Sequence, residues 1–264
     1  MYKRVQKSII PGVLIFSSKG FPRMAQEQDT RGGVENRILA SLPAEDRSRL
    51  LAQMERVELP RGQVVIEPEE AIPYAYFPAG ALISLVAMME DGRAVEVGTV
   101  GRHGMAGLPI VLGGGTTPMR SVVQIEGGAY RLRAESARRE FDAGGALQKA
   151  LHRYVHALIV ASSQSAACNA LHRLEGRLCR WLLVASDGVG SESLPLTHEY
   201  LAIMLGARRA GVTEACGLLR DEGLIDYTRG MIRLTDRGGL EDRACECYRI
   251  VRDEFDRVLG RDSI

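Results

Sequence analysis

The stretch LAIMLGARRAGVTEACGLL, residues 201–219, decides the fold. Leu201, Ala202, Met204 and Leu205 form one apolar helical face, and Val212, Ala215, Cys216, Leu218 and Leu219 form another. Between them, Gly206 suits the left-handed residue that ends a helix. Upstream, Thr197 is a good N-cap, with Glu199 and Tyr200 in the first turn. Two short helices joined by a tight glycine-containing turn make a helix-turn-helix. Downstream, the apolar runs Leu224–Tyr227 and Met231–Leu234 flank Arg229-Gly230 and predict a hairpin wing. Arg208 and Arg209 stand at the start of the second helix, where their charge opposes the helix dipole. Burial does not explain them, whereas an anionic partner does. In this motif that turn enters the major groove, where arginine pairs with guanine O6 and N7.

Outward from this motif, the chain changes character twice. Residues 34–56 carry a short helical pattern, with Pro43 opening its second part. From 57 to 133 the signals are strand and turn: VEL, QVVIE, YAYFPAG, LISLVAM, AVEVGTV, SVVQIEG and AYRLR. Met89-Glu90-Asp91-Gly92-Arg93 reads as a two-residue hairpin of type I′. Short strands without intervening helices predict a small antiparallel barrel or sandwich. From about 135 the 3.6-residue period returns. Residues 145–186 form a long helical tract with a break expected at Asn169–Leu171. Its outer face carries Lys149, Arg153 and little else, which predicts a second buried stripe against a twin subunit. After the wing, Leu240, Ala244, Cys245, Tyr248, Val251, Phe255 and Val258–Leu259 predict one further amphipathic helix, packed on the winged domain or on the twin subunit.

The totals are those of a soluble globular chain: 264 residues, 45% hydrophobic, 25% charged, formal net charge +1. No apolar run reaches the length of a membrane span. Residues 1–33 are basic and interrupted by Pro11, Gly12, Gly20 and Pro22, and read as a disordered tail; Met24 is an alternative start. Five cysteines (Cys168, Cys179, Cys216, Cys245, Cys247) are read as reduced thiols in a cytoplasmic protein. No metal site is expected: Cys245 and Cys247 have no second Cys/His pair in a recognisable frame. His152 and His156 are read as exposed or interface side chains, and His103 is weak support for haem. No nucleophile–base–orienter set and no Walker loop is present, so the chain is not read as an enzyme.

The order of strands, long helix, hinge, helix-turn-helix and wing resembles the Crp/Fnr superfamily of bacterial transcription regulators, most specifically over Thr197–Ile225. The resemblance implies an α+β fold. A cyclic-nucleotide-binding-like antiparallel jelly roll covers 34–143, a dimerisation helix 144–170, and a winged helix-turn-helix with an extra helix 171–264. It implies a homodimer on a near-palindromic site in double-stranded DNA, with the recognition helix at 208–222, DNA bending, and RNA polymerase as a partner. The DNA-binding residues are then Thr197, His198, Arg208, Arg209, Gly211, Thr213, Glu214 and Arg229. Close approach of the backbone to DNA would account for Gly211 and Gly217. Glu214 either accepts from cytosine or faces solvent, and Ala210 replaces a familiar glutamate.

The effector pocket departs further. Gly104, Ala106, Gly107, Arg120 and Ser121 fall where such regulators bind a phosphate. Yet the ribose-binding glutamate is missing, and a glycine-rich loop at 111–119 precedes Arg120. Cyclic AMP is therefore not expected to bind in the usual way. No cofactor is expected beyond an unidentified small-molecule effector, and iron–sulfur sensing of the Fnr kind is excluded by the lack of N-terminal cysteines. The competing reading is an effector-binding or protein-interaction module whose winged helix no longer binds DNA.

Overall fold

The computed structural model describes residues 36–260. The basic segment 1–33 lies outside these residues. Two short helices, α1 (Arg37–Ala40) and α2 (Ala44–Leu51), precede seven strands. These are β1 (Glu55–Leu59), β2 (Val64–Ile66), β3 (Tyr74–Pro78), β4 (Leu82–Met88), β5 (Ala94–Val100), β6 (Arg120–Ile125) and β7 (Gly127–Arg133). They pair antiparallel in two sheets, ordered β1-β7-β3 and β2-β6-β4-β5. All seven coincide with the strand segments expected from sequence, most of them rich in β-branched or aromatic residues and set off by Gly, Pro or Asp. The inner faces bury Phe77, Ile83, Val123 and Leu132 completely or nearly so.

The β4–β5 hairpin forms as expected but not through a type I′ turn. The Gly92 N–H bonds to Met89 O at 3.0 Å, and Met89 N–H to Arg93 O at 2.8 Å. Gly92 alone takes a positive φ, of 82°. The connection is thus a type I turn closed by a left-handed glycine, since type I′ requires positive φ at both central residues.

Helix α3 (Ala134–Asp142) ends at Gly144-Gly145, which separate it from the long helix α4 (Ala146–Leu171). Leu147, Leu151 and Tyr154 of α4 pack into the sheet core. The hinge lies two residues beyond the expected break: His172 and Arg173 are extended, with ψ of 148° and 156°, and α5 (Leu174–Val189) follows. Helix α5 is the centre of the second core, contributing Leu178, Trp181, Leu182 and Leu183. The winged domain is completed by β8 (Ser193–Leu194), α6 (His198–Leu205), α7 (Arg209–Asp221), β9 (Ile225–Thr228) and β10 (Met231–Leu234). Strand β8 is too short to leave a periodic signal, yet it pairs with β10 to give a three-stranded sheet, β8-β10-β9.

The C-terminal region holds two helices rather than the one expected, α8 (Arg237–Arg243) and α9 (Cys247–Leu259). Ala244 is extended and breaks the run. Nor is α9 an appendage of the winged domain alone. It runs antiparallel along α4 of its own chain: Cys247 meets Gln164, and Glu254 meets His156 at 2.7 Å. Phe255 and Leu259 reach the jelly-roll core, and Asp256 pairs with Arg37 at 3.0 Å. At the other end, Asp187 of α5 accepts from Arg237 and Tyr248 at 2.5 and 2.9 Å, joining α5, α8 and α9.

Two contacts weld the jelly roll to the winged domain. A Cβ on Gly101 would lie 2.5 Å from Gly188 Cα, so the loop after β5 and helix α5 touch backbone to backbone. Beside them Glu96 of β5 is buried, accepting from Trp181 Nε1 at 2.7 Å and Ser84 Oγ at 2.5 Å. Burial pushes its carboxyl up from the usual carboxylate range to about 7, against the lowering effect of those bonds and of Arg180.

Candidate DNA-recognition surface

Thr197 caps α6, its hydroxyl accepting from the Tyr200 N–H at 3.3 Å. The helix ends at Gly206, φ 57°, where Ala207 N–H bonds to Ala202 O and Gly206 N–H to Ile203 O. This paired closure needs a left-handed residue and hands the chain to α7 after three residues. Arg208 is the extended N-cap residue of α7, and Arg209 is its first helical residue. No side chain caps this end, so its first N–H groups and the positive end of the dipole face outward beside the two guanidinium groups.

Buried Val212, Ala215, Cys216 and Leu219 hold α7 on its core. That leaves Arg208, Arg209, Ala210, Thr213 and Glu214 exposed in one turn and a half. Arg209 makes one loose ion pair, 3.5 Å to Glu199, with its side chain 70% exposed. A pair that open contributes little to stability and leaves the guanidinium available. Glu214 faces solvent.

Two of the residues assigned to DNA sit otherwise. Gly211 is turned inward: a Cβ there would lie 3.2 Å from Leu174 Cδ2 at the start of α5. Its smallness serves helix packing. Gly217 has open space where its Cβ would be. His198 is engaged within the protein, its ring stacked on Tyr227 at 4.4 Å and its Nδ1 3.1 Å from Thr213 Oγ1. Burial, and then the charge of Arg209, lower its pKa, so the neutral ring is favoured. His198 thereby ties the start of α6 to both α7 and the wing.

At the wing tip, Arg229 and Gly230 both take positive φ, 50° and 82°, between Thr228 and its partner Met231. This is the two-residue geometry of a type I′ turn. Arginine is a poor choice for the left-handed region, and such strain of about 1–3 kcal/mol collects at functional sites. It leaves an exposed cation at the tip of the wing.

The expected effector residues fall in two segments of the jelly roll. Gly104, Ala106 and Gly107 lie against β3, where Ala106 bridges Tyr76. The Tyr154 hydroxyl fills the space beside Gly104, 2.5 Å from where a Cβ would be. Arg120 and Ser121 open β6 in the other sheet. There Ser121 is buried, and Arg120 donates to Glu67 through both Nε and Nη2, at 3.0 and 2.9 Å. A cavity of about 800 Å³ lies instead between β5, α4, α5 and α9, lined by groups including Thr99, Ser162, Arg180 and Tyr248.

A jelly roll joined by a long helix to a winged helix-turn-helix defines a class of DNA-binding regulators. Residues 176–243 match the family described as a Crp-like helix-turn-helix domain. Over 72% of this chain and 98% of the other, the structure is similar to that of a Crp/Fnr family transcriptional regulator from Thermus thermophilus, with 25% identity and a TM-score of 0.56. It also resembles FixK2 of Bradyrhizobium japonicum (14% identity, 73% and 98% covered, TM-score 0.62). A third likeness is to the c-di-GMP responsive global regulator CLP of Xanthomonas campestris (17% identity, 74% and 100% covered, TM-score 0.59). No curated protein matches. The chain thus has the Crp/Fnr transcription-regulator fold with a Crp-like helix-turn-helix DNA-binding domain. No helix among the described residues is long and apolar enough to cross a membrane.

Proposed function

We propose that this protein is a cytoplasmic homodimeric transcription regulator that reads a near-palindromic site in double-stranded DNA through α7. The observation that carries the reading is the uncapped start of α7, where Arg208 and Arg209 stand exposed beside free N–H groups. Arg209 is the base-reading side chain; Arg208, Thr213 and Arg229 contact phosphates. Thr197 and His198 act by holding the motif together rather than by touching DNA. Two copies place their recognition helices about 34 Å apart, one turn of the duplex. Support for the dimer comes from α4, whose exposed positions His152, His156, Ile159, Ser163, Ala166 and Ala170 recur at the three- and four-residue spacing of a helix seam. RNA polymerase is the proposed protein partner.

The jelly roll takes a small-molecule effector other than cyclic AMP. Arg120 is already neutralised by Glu67, so an anion there would have to displace a carboxylate. The alternative of a winged helix that only contacts protein loses its main support once Gly211 is accounted for by Leu174.

Selection of bound duplexes from a random pool tests the reading. The expected product is a palindrome whose affinity falls steeply with salt. Arg209→Ala should cost about 1–3 kcal/mol on the selected site and relax one base position in each half. A variant with an unchanged profile, or a pool that never enriches, overturns it.

A further inference from the structure

The hinge carries a second constellation. Cys168 and His172, one turn apart, end α4; Cys245 and Cys247 precede and open α9. Their ligating atoms (three Sγ and one imidazole nitrogen) all lie within 4.8 Å of one another. Cys168 Sγ is 3.4 Å from Cys245 Sγ, and Cys247 Sγ is 3.4 Å from His172 Nδ1. The expectation that Cys245 and Cys247 lack a second pair fails here. Cys168 and His172 are distant in sequence, and the antiparallel return of α9 along α4 delivers them.

We propose that these four side chains form a mononuclear Cys3His site for a tetrahedral thiolate-binding cation of the Zn²⁺ class, which clamps the hinge. With metal–sulfur bonds of about 2.3 Å and a metal–nitrogen bond of about 2.0 Å, a tetrahedron sets sulfur–sulfur edges of about 3.8 Å and sulfur–nitrogen edges of about 3.5 Å. The Cys247–His172 separation already matches, and the Cys168–Cys245 pair needs to open by only about 0.4 Å to admit the ion. A polynuclear iron–sulfur cluster holds its cysteine sulfurs farther apart than a single ion does. The surroundings are those of a built site. His172 Nδ1 faces the sulfurs, and Nε2 lies 3.3 Å from the Glu246 carboxylate, the outer partner that fixes the tautomer of a ligating imidazole. Gln164 Nε2 donates to Cys247 Sγ at 3.2 Å. Cys168 and Cys247 are fully buried, so solvent does not compete for them. Three thiolates and a divalent ion leave one negative charge. Four ligands close the coordination sphere, which makes the site structural rather than catalytic.

Because His172 is itself a hinge residue, the ion joins the end of α4 to the α8–α9 connection. The assignment of the site does not depend on the DNA-binding reading, and the two are read separately. The full chain, purified under reducing conditions, is expected to hold about one zinc per chain by elemental analysis. Cobalt added to chelator-stripped protein should give the intense visible bands and near-ultraviolet thiolate charge-transfer band of a tetrahedral Cys3His centre. Cys168→Ser and Cys245→Ser should lose the ion, while His152→Ala keeps it. Glu246→Gln, an exposed change that leaves the fold intact, should weaken metal binding about 10–100-fold by competition with a chromophoric chelator. Three results overturn the proposal: wild-type protein that neither retains zinc nor develops the cobalt spectrum, iron and inorganic sulfide in place of a single ion, or a Cys168–Cys245 disulfide as the resting state of reduced preparations.

Discussion

Replacing Glu96 with glutamine should make the protein more stable above neutral pH and leave it unchanged near pH 4. Glu96 is buried between the β4–β5 hairpin and α5, with its carboxyl at about 7. In the unfolded chain it titrates near 4.5. Below 4.5 both states are protonated and nothing is lost. As pH rises from 4.5 to about 7 the unfolded chain releases its proton while the folded one keeps it, so stability falls; above 7 it levels off. At about 1.4 kcal/mol per tenfold, the full loss is about 3 kcal/mol. Glutamine is neutral throughout. It can still accept from Trp181 through Oε1 and donate to Ser84 Oγ from its amide. Glu96→Gln should therefore match the parent near pH 4, exceed it by about 1 kcal/mol at pH 5 and by about 3 kcal/mol at pH 8, the last being roughly 6–10 °C in melting temperature. Trp181, the single tryptophan, donates directly to this carboxylate. Its fluorescence in urea titrations at pH 4, 5, 6, 7 and 8 reads the site itself. Equal stability of the two proteins at pH 8, or a gap that does not close in acid, would refute the buried, protonated carboxyl.

Arg229→Gly should relieve the positive φ at the wing tip and raise stability by about 1 kcal/mol; it should also lower the salt slope of DNA binding by about one phosphate contact. A thermal melt and a salt-series gel shift separate the two effects. Gly101→Ala places a methyl against the Gly188 backbone and should cost about 1–3 kcal/mol, seen as a lower urea midpoint. Ile159, 60% exposed on α4, lies on the seam assigned to the twin subunit; Ile159→Lys should shift the protein from dimer to monomer in sedimentation, without changing its far-ultraviolet circular dichroism.

What the sequence made legible depended on how local the cause was. Gly206, Thr197 and the apolar spacing around them specify the helix-turn-helix because cap and period act within a few residues. The seven strands were legible for the same reason. The type of the β4–β5 turn was not, since Asp91-Gly92 fits both a two-residue turn and a left-handed glycine after a type I turn. Strand β8 was missed because two residues carry no period. The packing of Gly211 on Leu174 was not legible, because the two lie 37 positions apart. The Cys3His cluster was overlooked for the same cause on a larger scale: nothing local to Cys245 announces that α9 turns back along α4. The effector residues were placed by resemblance alone; their surroundings, the Tyr154 hydroxyl beside Gly104 and Glu67 paired with Arg120, come from distant parts of the chain.

The return of α9 has a mechanical consequence. Arg37 and Asp256 meet across 219 residues of chain, so the described part of the polypeptide is fastened near both of its ends. A reader head on a single swivel drifts freely with thermal motion. Here any reorientation of the head must drag the final helix along the spine or peel it off. Such a linkage resists small torques, because reorienting the head means breaking contacts at both ends of the final helix together.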